Sequence, residues 1–165
     1  MYVEVINEIQ VAEVESLAKE IWTEHYTSII GAGQVEYMLG KFQSREAIGR
    51  QIRDEGFLYF LIQGENGLPA GYMGVVPRAK TGELFLSKVY IKSAYRGKGM
   101  AREALRFIEI LAADMNIFRI TLTVNRNNRA AIQAYTSMGF LKTGSIITDI
   151  GSGFVMDDYI FEKKR

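Results

Sequence analysis

The stretch Lys92-Ser93-Ala94-Tyr95-Arg96-Gly97-Lys98-Gly99-Met100-Ala101 constrains this chain more than any other, because it joins a strand to a helix through a loop suited to hold an anion. Upstream, Leu84 to Ile91 is short, apolar, and aromatic or β-branched toward its end, which reads as a buried strand. Downstream, Ala101, Leu105, Ile108, Ala112 and Met115 recur at helical spacing. Gly97 and Gly99 open backbone conformations closed to other residues and let a ligand approach closely. The first N–H groups of the helix lack intrahelical partners and carry the positive end of its dipole. Phosphate is a natural occupant of such a place.

The remaining composition excludes several chemistries. The 165 residues suffice for one domain with a real core, expected to run 1–165. A net charge of +1, with basic residues scattered, gives no reason to expect nucleic acid as a partner. No apolar run approaches the ~20 residues needed to span a bilayer, so no membrane partner is expected. The start, Met1-Tyr2-Val3-Glu4-Val5, lacks the pattern of a signal peptide, and a cytoplasmic location follows as the default expectation. There is no cysteine and one histidine, His25, which removes thiolate nucleophiles and Cys/His zinc sites; no metal is expected. Neither a Gly-x-Ser-x-Gly elbow nor a P-loop occurs. The chemistry must run on carboxylates, tyrosines, hydroxyls and backbone amides.

Periodicity and turn signals set the element order. Residues 2–9 alternate as a first strand, and 11–30 are helical with Val14, Leu17, Ala18, Ile21 and Trp22 on one face. Gly31-Ala32-Gly33 interrupts, and short helices follow at 34–41 and 44–54, the second capped by Ser44. Strands are expected at 57–62 and 70–76 across a turn at Glu65-Asn66-Gly67, then at 83–91 after a loop. A helix from 98 to about 115, a strand at 118–124 and a helix capped by Asn127 or Asn128 and ending at Gly139 come next. Strands 140–148 and 154–161 close the chain across a turn at 149–153. Strand 83–91, its helix and strand 118–124 form a βαβ unit, so those two strands should be parallel while the hairpins are antiparallel. The fold class is mixed α/β (α+β).

Two motifs then carry a resemblance. Arg96, Gly99 and Ala101 match Arg/Gln-x-x-Gly-x-Gly/Ala, and Asn128, Ala131, Tyr135 and the Gly139-Phe140 pair match a second signature. With the element order, these make the chain resemble the GNAT family of acetyl-CoA-dependent N-acyltransferases. The ending from Gly153 to Tyr159 and the region Trp22 to Tyr26 look like its PaiA-type polyamine acetyltransferase branch. The resemblance implies a mostly antiparallel sheet of about seven strands with one parallel pair, flanked by helices. It implies an acetyl-CoA-binding core at about 83–140, acetyl-CoA as cosubstrate, a small-molecule amine such as a polyamine as acceptor, and allows a homodimer.

The same resemblance distributes roles. Amides from Arg96 through Gly97, Lys98, Gly99 and Met100 to Ala101 would hold the pyrophosphate of coenzyme A. The strand residues Val89, Tyr90 and Ile91 would flank the thioester, an N–H near Val89 or Tyr90 polarising its carbonyl where the parallel strands splay. Asn128 and Ala131 would line the pantetheine arm, Asn128 doubling as a helix cap. Tyr135, on the same helix face, would protonate the departing thiolate, unless it is a core aromatic. An amine of pKa near ~10.4 must lose a proton before attack, so a base is wanted. Glu83 is the candidate, although it could equally be an ordinary strand-end charge, since Phe85 and Ser87 fill positions where small-molecule members of the family keep acids. Trp22, Tyr26 and Tyr37, with His25 and Met38, either wall an acceptor site or pack in the core. Asp157 and Asp158 are either a solvated turn or a rim that attracts cations. Without cysteine, direct attack in a ternary complex is favoured over ping-pong transfer. A protein or peptide acetyltransferase and a coenzyme A-binding sensor without turnover remain open, whereas a dinucleotide fold is disfavoured because Arg102 stands where its third glycine is wanted.

Overall fold

The computed structural model describes residues 1–165. Its contacts gather into two compact units, Met1–Val76 with Lys88–Leu105, and Pro77–Ser87 with Arg106–Arg165. Hydrogen bonding places seven strands in the order β1-β2-β3-β4-β5-β7-β6, where β1 is Tyr2–Glu4, β2 Leu58–Gln63, β3 Pro69–Arg78, β4 Glu83–Ile91, β5 Arg119–Asn125, β6 Leu141–Gly151 and β7 Phe154–Lys164. The expected mixed fold with a parallel β4–β5 pair is what forms. No helix is long and apolar enough to cross a membrane.

In the first unit, α1 (Glu8–Ile30) begins earlier than alternation predicts, and β1 is correspondingly shorter than 2–9. The reason is a capping box. Asn7 accepts from the Gln10 N–H at 3.0 Å while Gln10 Oε1 accepts from the amides of Ile6 and Asn7, which stops the strand and starts the helix. Val11, Val14, Leu17, Ala18, Ile21 and Trp22 then bury one face. Gly31, at φ 87°, closes α1 by donating to the Thr27 carbonyl, and α2 (Ala32–Phe42) starts at the next residue rather than at 34. Ser44 caps α3 (Arg45–Asp54) through the Ala47 amide. β2 pairs antiparallel with β1 and β3. At Gly71 in β3 an added Cβ would lie 2.2 Å from the Tyr90 carbonyl oxygen, so only glycine lets β3 lie against this end of β4.

In the second unit, β4 and β5 pair from Glu83↔Arg119 to Leu86↔Leu122, and the pairing ends there. The β7 strand lies antiparallel between β5 and β6. The β6–β7 turn is narrower than the expected 149–153. Ser152 and Gly153, at φ 54° and 78°, form a two-residue connection whose left-handed backbone suits strand twist. Register separates the faces: Leu84, Leu86, Ile120, Leu122, Val124 and Phe161 are buried on one, while Glu83, Phe85, Ser87, Thr121, Thr123, Asn125, Asp158, Ile160 and Glu162 share the other. The helix α4 (Met100–Asp114) runs from the first unit into the second, and α5 (Arg129–Ser137) follows β5.

Candidate functional site

The glycine loop leaves β4 through a short 3₁₀ turn, Ser93–Tyr95, and is held at both ends. Lys92 pairs with Glu20 of α1 at 3.2 Å, and Arg96 Nε donates to the Ile91 carbonyl at 2.9 Å. Gly97 and Gly99 adopt φ of 74° and 81°, in the left-handed region. The backbone N–H groups from Gly97 to Arg102 donate to no protein acceptor, and the first bond closing α4 runs from the Glu103 N–H to the Gly99 carbonyl at 3.1 Å. Exposed amides in succession at the start of a fifteen-residue helix form a cradle for an anion with several oxygens.

Before the loop, β4 carries Lys88 and Tyr90 onto packed side chains. Tyr90 lies 5.3 Å from Trp22 edge-on, 6.1 Å from Tyr26 and 5.3 Å from Tyr72, measured between ring centres. Two of the expected acceptor-site aromatics, Trp22 and Tyr26, are therefore brought together with cofactor candidate Tyr90. His25 sets its ring edge-on to Tyr26 at 4.8 Å, Met38 is buried, and Tyr37 on α2 is half-buried and receives the Lys41 ammonium at 3.4 Å. Trp22 is itself a buried residue, whereas Tyr26 retains partial exposure.

Lys88 escaped the sequence reading. Its amine donates to the Phe42 carbonyl at 3.0 Å, to Gln51 Oε1 at 2.8 Å and to the Tyr59 hydroxyl. Tyr59 in turn donates to Gln51 Oε1, Gln51 Nε2 to the Phe42 carbonyl, and Tyr72 to Gln43 Oε1. This network ties the junction of α2 and α3 to three strands. Burial pulls the Lys88 amine down from 10.5 to about 7, with Glu55 opposing, and pushes the Tyr59 and Tyr72 phenols up. The available signal was its phase: Lys88 continues the alternation of Leu84 and Leu86, a lysine where a buried residue is due.

In the second unit, Asn128 is buried and caps α5, its Oδ1 accepting from the Ala131 amide at 3.3 Å. Ala131 and Tyr135 follow on the same helix face, both half-buried. The Tyr135 ring meets Phe140 edge-on at 5.7 Å, and Gly139 at φ 90° turns the chain between them. Glu83 Oε1 accepts from Arg78 Nη1 at 3.1 Å and from the Thr121 hydroxyl, and Oε2 lies 3.7 Å from Arg119, which also faces Glu162. Such a carboxylate is a counter-ion joining β4 to β5. Asp157 and Asp158 lie within β7 rather than in a turn. Asp157 pairs with Arg126 at 2.7 Å, and Asp158 is buried on the opposite face.

Comparison with known proteins bears on this geometry. Residues 14–140 match the profile of the acetyltransferase (GNAT) family. N-acetyltransferase 8 of Rattus norvegicus is 28% identical over 95 residues, a match spanning 55% of this chain and 43% of the rat protein. Among solved structures, PaiA N-acetyltransferase from Thermoplasma acidophilum, in complex with coenzyme A, superposes with a TM-score of 0.77 at 19% identity, covering 100% of this chain and 99% of that one. A mutant spermidine N-acetyltransferase of Vibrio cholerae gives 0.69 at 15%, covering 99% and 93%. These last two likenesses are likenesses of fold.

Proposed function

Because this chain belongs to the acetyltransferase (GNAT) family, we propose that it transfers the acetyl group of acetyl-CoA to the primary amine of a small molecule, a polyamine being the first candidate. One observation carries the reading: the unpartnered amides from Gly97 to Arg102, exposed at the start of α4 and shaped by two left-handed glycines, fit a pyrophosphate. The coenzyme A complex of the PaiA relative and the spermidine activity in the name of the Vibrio relative support the cosubstrate and the acceptor class.

In this reading 1–165 act as one catalytic domain. The amides from Gly97 to Arg102 bind the pyrophosphate, the Arg96 N–H being taken by the Ser93 carbonyl at 3.1 Å, and backbone N–H groups near Val89 and Tyr90 draw electron density from the thioester carbonyl. Asn128 and Ala131 hold the pantetheine arm. Tyr135 gives its phenolic proton to the leaving sulfur. Trp22, Tyr26 and Tyr37 shape the acceptor side. With no cysteine in the chain, no thiol of the protein carries the acetyl group, and the amine attacks directly.

The test is coenzyme A release from acetyl-CoA across an amine panel, read with a thiol-reactive chromophore, to which the cysteine-free protein contributes no background. Release with spermidine or another small amine is the expected result. Release with peptides alone refutes the acceptor class, and none with any amine refutes the enzyme.

A further inference from the structure

The two neighbouring aspartates of β7 differ in a way that assigns one of them a task. Asp157 shares the face of Tyr159 and Phe161, and Arg126 neutralises it at 2.7 Å. Asp158 points to the other face, across from Asn125 on β5 and Ile146 on β6, with Met156 and Ile160 before and after it on its own side. It is 8% exposed, and no protein group donates a hydrogen bond or forms an ion pair to its carboxyl. Its oxygens are not sealed off, since neither is among the fully enclosed side-chain atoms without a partner, so a carboxylate short of protein donors stays open to an incoming cation.

Its position suits an amine. Register puts Asp158 on the sheet face that carries Phe85 and Ser87 of β4 and Thr121, Thr123 and Asn125 of β5. The β4 carboxylate on that face, Glu83, is already paired with Arg78, Arg119 and Thr121. Asn125 and Asp158 lie beyond Leu86↔Leu122, where the β4–β5 pairing ends. The turn that launches the Tyr135 helix is bonded to this same end: Arg126 N–H donates to the Asp157 carbonyl at 3.1 Å, and Asn128 N–H to the Asn125 carbonyl at 2.9 Å.

We propose that Asp158, rather than Glu83, receives the ammonium group of the acceptor and takes its proton, a role that rests on the transferase reading above. The carboxylate removes one proton from R–NH3⁺. The freed nitrogen pair forms the N–C bond while the C–S bond breaks with its electrons on sulfur, which takes the Tyr135 proton. The second proton lost by nitrogen restores the Tyr135 phenol, and Asp158 passes its own to solvent. Burial, with Asp157 adjacent, raises the Asp158 carboxyl from 3.8 to about 6, so it is anionic at neutral pH yet a stronger proton acceptor than an ordinary aspartate. The charged groups nearby in this unit are Asp157 and Glu162, paired with Arg126 and Arg119 respectively.

The experiment compares Asp158→Asn and Glu83→Gln with wild type, using spermidine or whichever amine the panel finds. Asp158→Asn should lose ~10²–10⁴-fold in kcat/KM for the amine with unchanged calorimetric affinity for coenzyme A, and should lose the acidic limb near pH 6 of the wild-type profile. Glu83→Gln should keep kcat/KM within a few-fold and keep that limb. An Asp158→Asn enzyme within fivefold of wild type, or one that retains the limb, overturns the proposal. Because the change removes an unpaired buried charge without altering shape, its melting temperature should not fall; an unfolded variant would make the carboxyl a structural partner and equally overturn it. If wild type turns over no amine, the transferase reading fails by itself, and spermidine calorimetry then decides: binding to wild type lost in Asp158→Asn supports the ammonium site, equal or absent binding refutes it.

Discussion

Replacing Lys88 with Met should change how stability depends on pH. The Lys88 amine titrates near 7 in the folded protein against its ordinary 10.5, because burial disfavours the cation. Between those values the unfolded chain holds a proton that the folded chain lacks, so wild-type stability rises with pH, at up to about 1.4 kcal/mol per unit. Below pH 7 both states are protonated and this slope vanishes; above 10.5 both are neutral. From pH 7 to 9 the wild type should therefore gain about 2 kcal/mol that Lys88→Met does not. Tyr59 and Tyr72, raised by burial, oppose this trend only where unfolded tyrosines ionise, near ~10, above the window. Methionine is a fair substitute: it fills a similar volume, Gln51 still satisfies the Phe42 carbonyl, and Tyr59 still donates to Gln51. Urea unfolding of both proteins at pH 7, 8 and 9, extrapolated to water, gives the difference directly. Parallel stability curves would refute the reasoning, showing that the three acceptors around Lys88 keep it charged throughout.

Gly99→Val places a β-branched residue at φ 81°, a strain of about 1–3 kcal/mol, and should weaken coenzyme A binding tenfold or more by calorimetry; unchanged affinity would remove the loop from the site. Tyr135→Phe should bind coenzyme A normally and lose ~10²–10⁴-fold in single-turnover rate, and a rate equal to wild type would make Tyr135 a packing residue. Initial-rate kinetics should give intersecting double-reciprocal lines, whereas parallel lines or an isolable acetyl-enzyme would contradict direct attack. Gly71→Ala, with a Cβ 2.2 Å from the Tyr90 carbonyl oxygen, should destabilise by at least about 1–3 kcal/mol; an unaltered melting temperature would mean that β3 shifts freely.

Much of the fold was legible because its strongest local signals agree with the tertiary answer. The glycine loop, the periodic α4 and the short apolar run of β5 forced a βαβ unit, and β4 and β5 do pair in parallel. Errors fell where a side-chain cap outranked periodicity. Residues 2–9 alternate, yet Asn7 and Gln10 close a capping box and hand Glu8 and Ile9 to α1. That Asn-x-x-Gln spacing was visible and is a helix start in its own right. At the β6–β7 hairpin, a run of turn-forming residues looked like a wide loop, whereas Gly151 still extends β6 and only Ser152 and Gly153 turn.

The candidate site divides along a different line. Residues that act through backbone could be read, since Gly97 and Gly99 announce left-handed φ values and Asn128 announces a cap. Residues that act through charge could not, because a carboxylate's use depends on what surrounds it. Glu83 and Asp158 look alike in sequence, each an acid within a strand-forming run. Pairing brings two arginines and a threonine to Glu83, the Arg78 guanidinium and the Thr121 hydroxyl both bonding its Oε1. Alternation and register turn Asp158 away from Arg126 and leave it with Ile146, Met156, Ile160 and Asn125. A shift of one residue in β7 would exchange the two aspartates, giving Asp158 the arginine and Asp157 the buried face. Which of the two aspartates is paired with the arginine and which lies on the opposite, buried face is thus decided by strand register, a property set by the hydrophobic face of β7 and its two-residue turn rather than by the aspartates themselves.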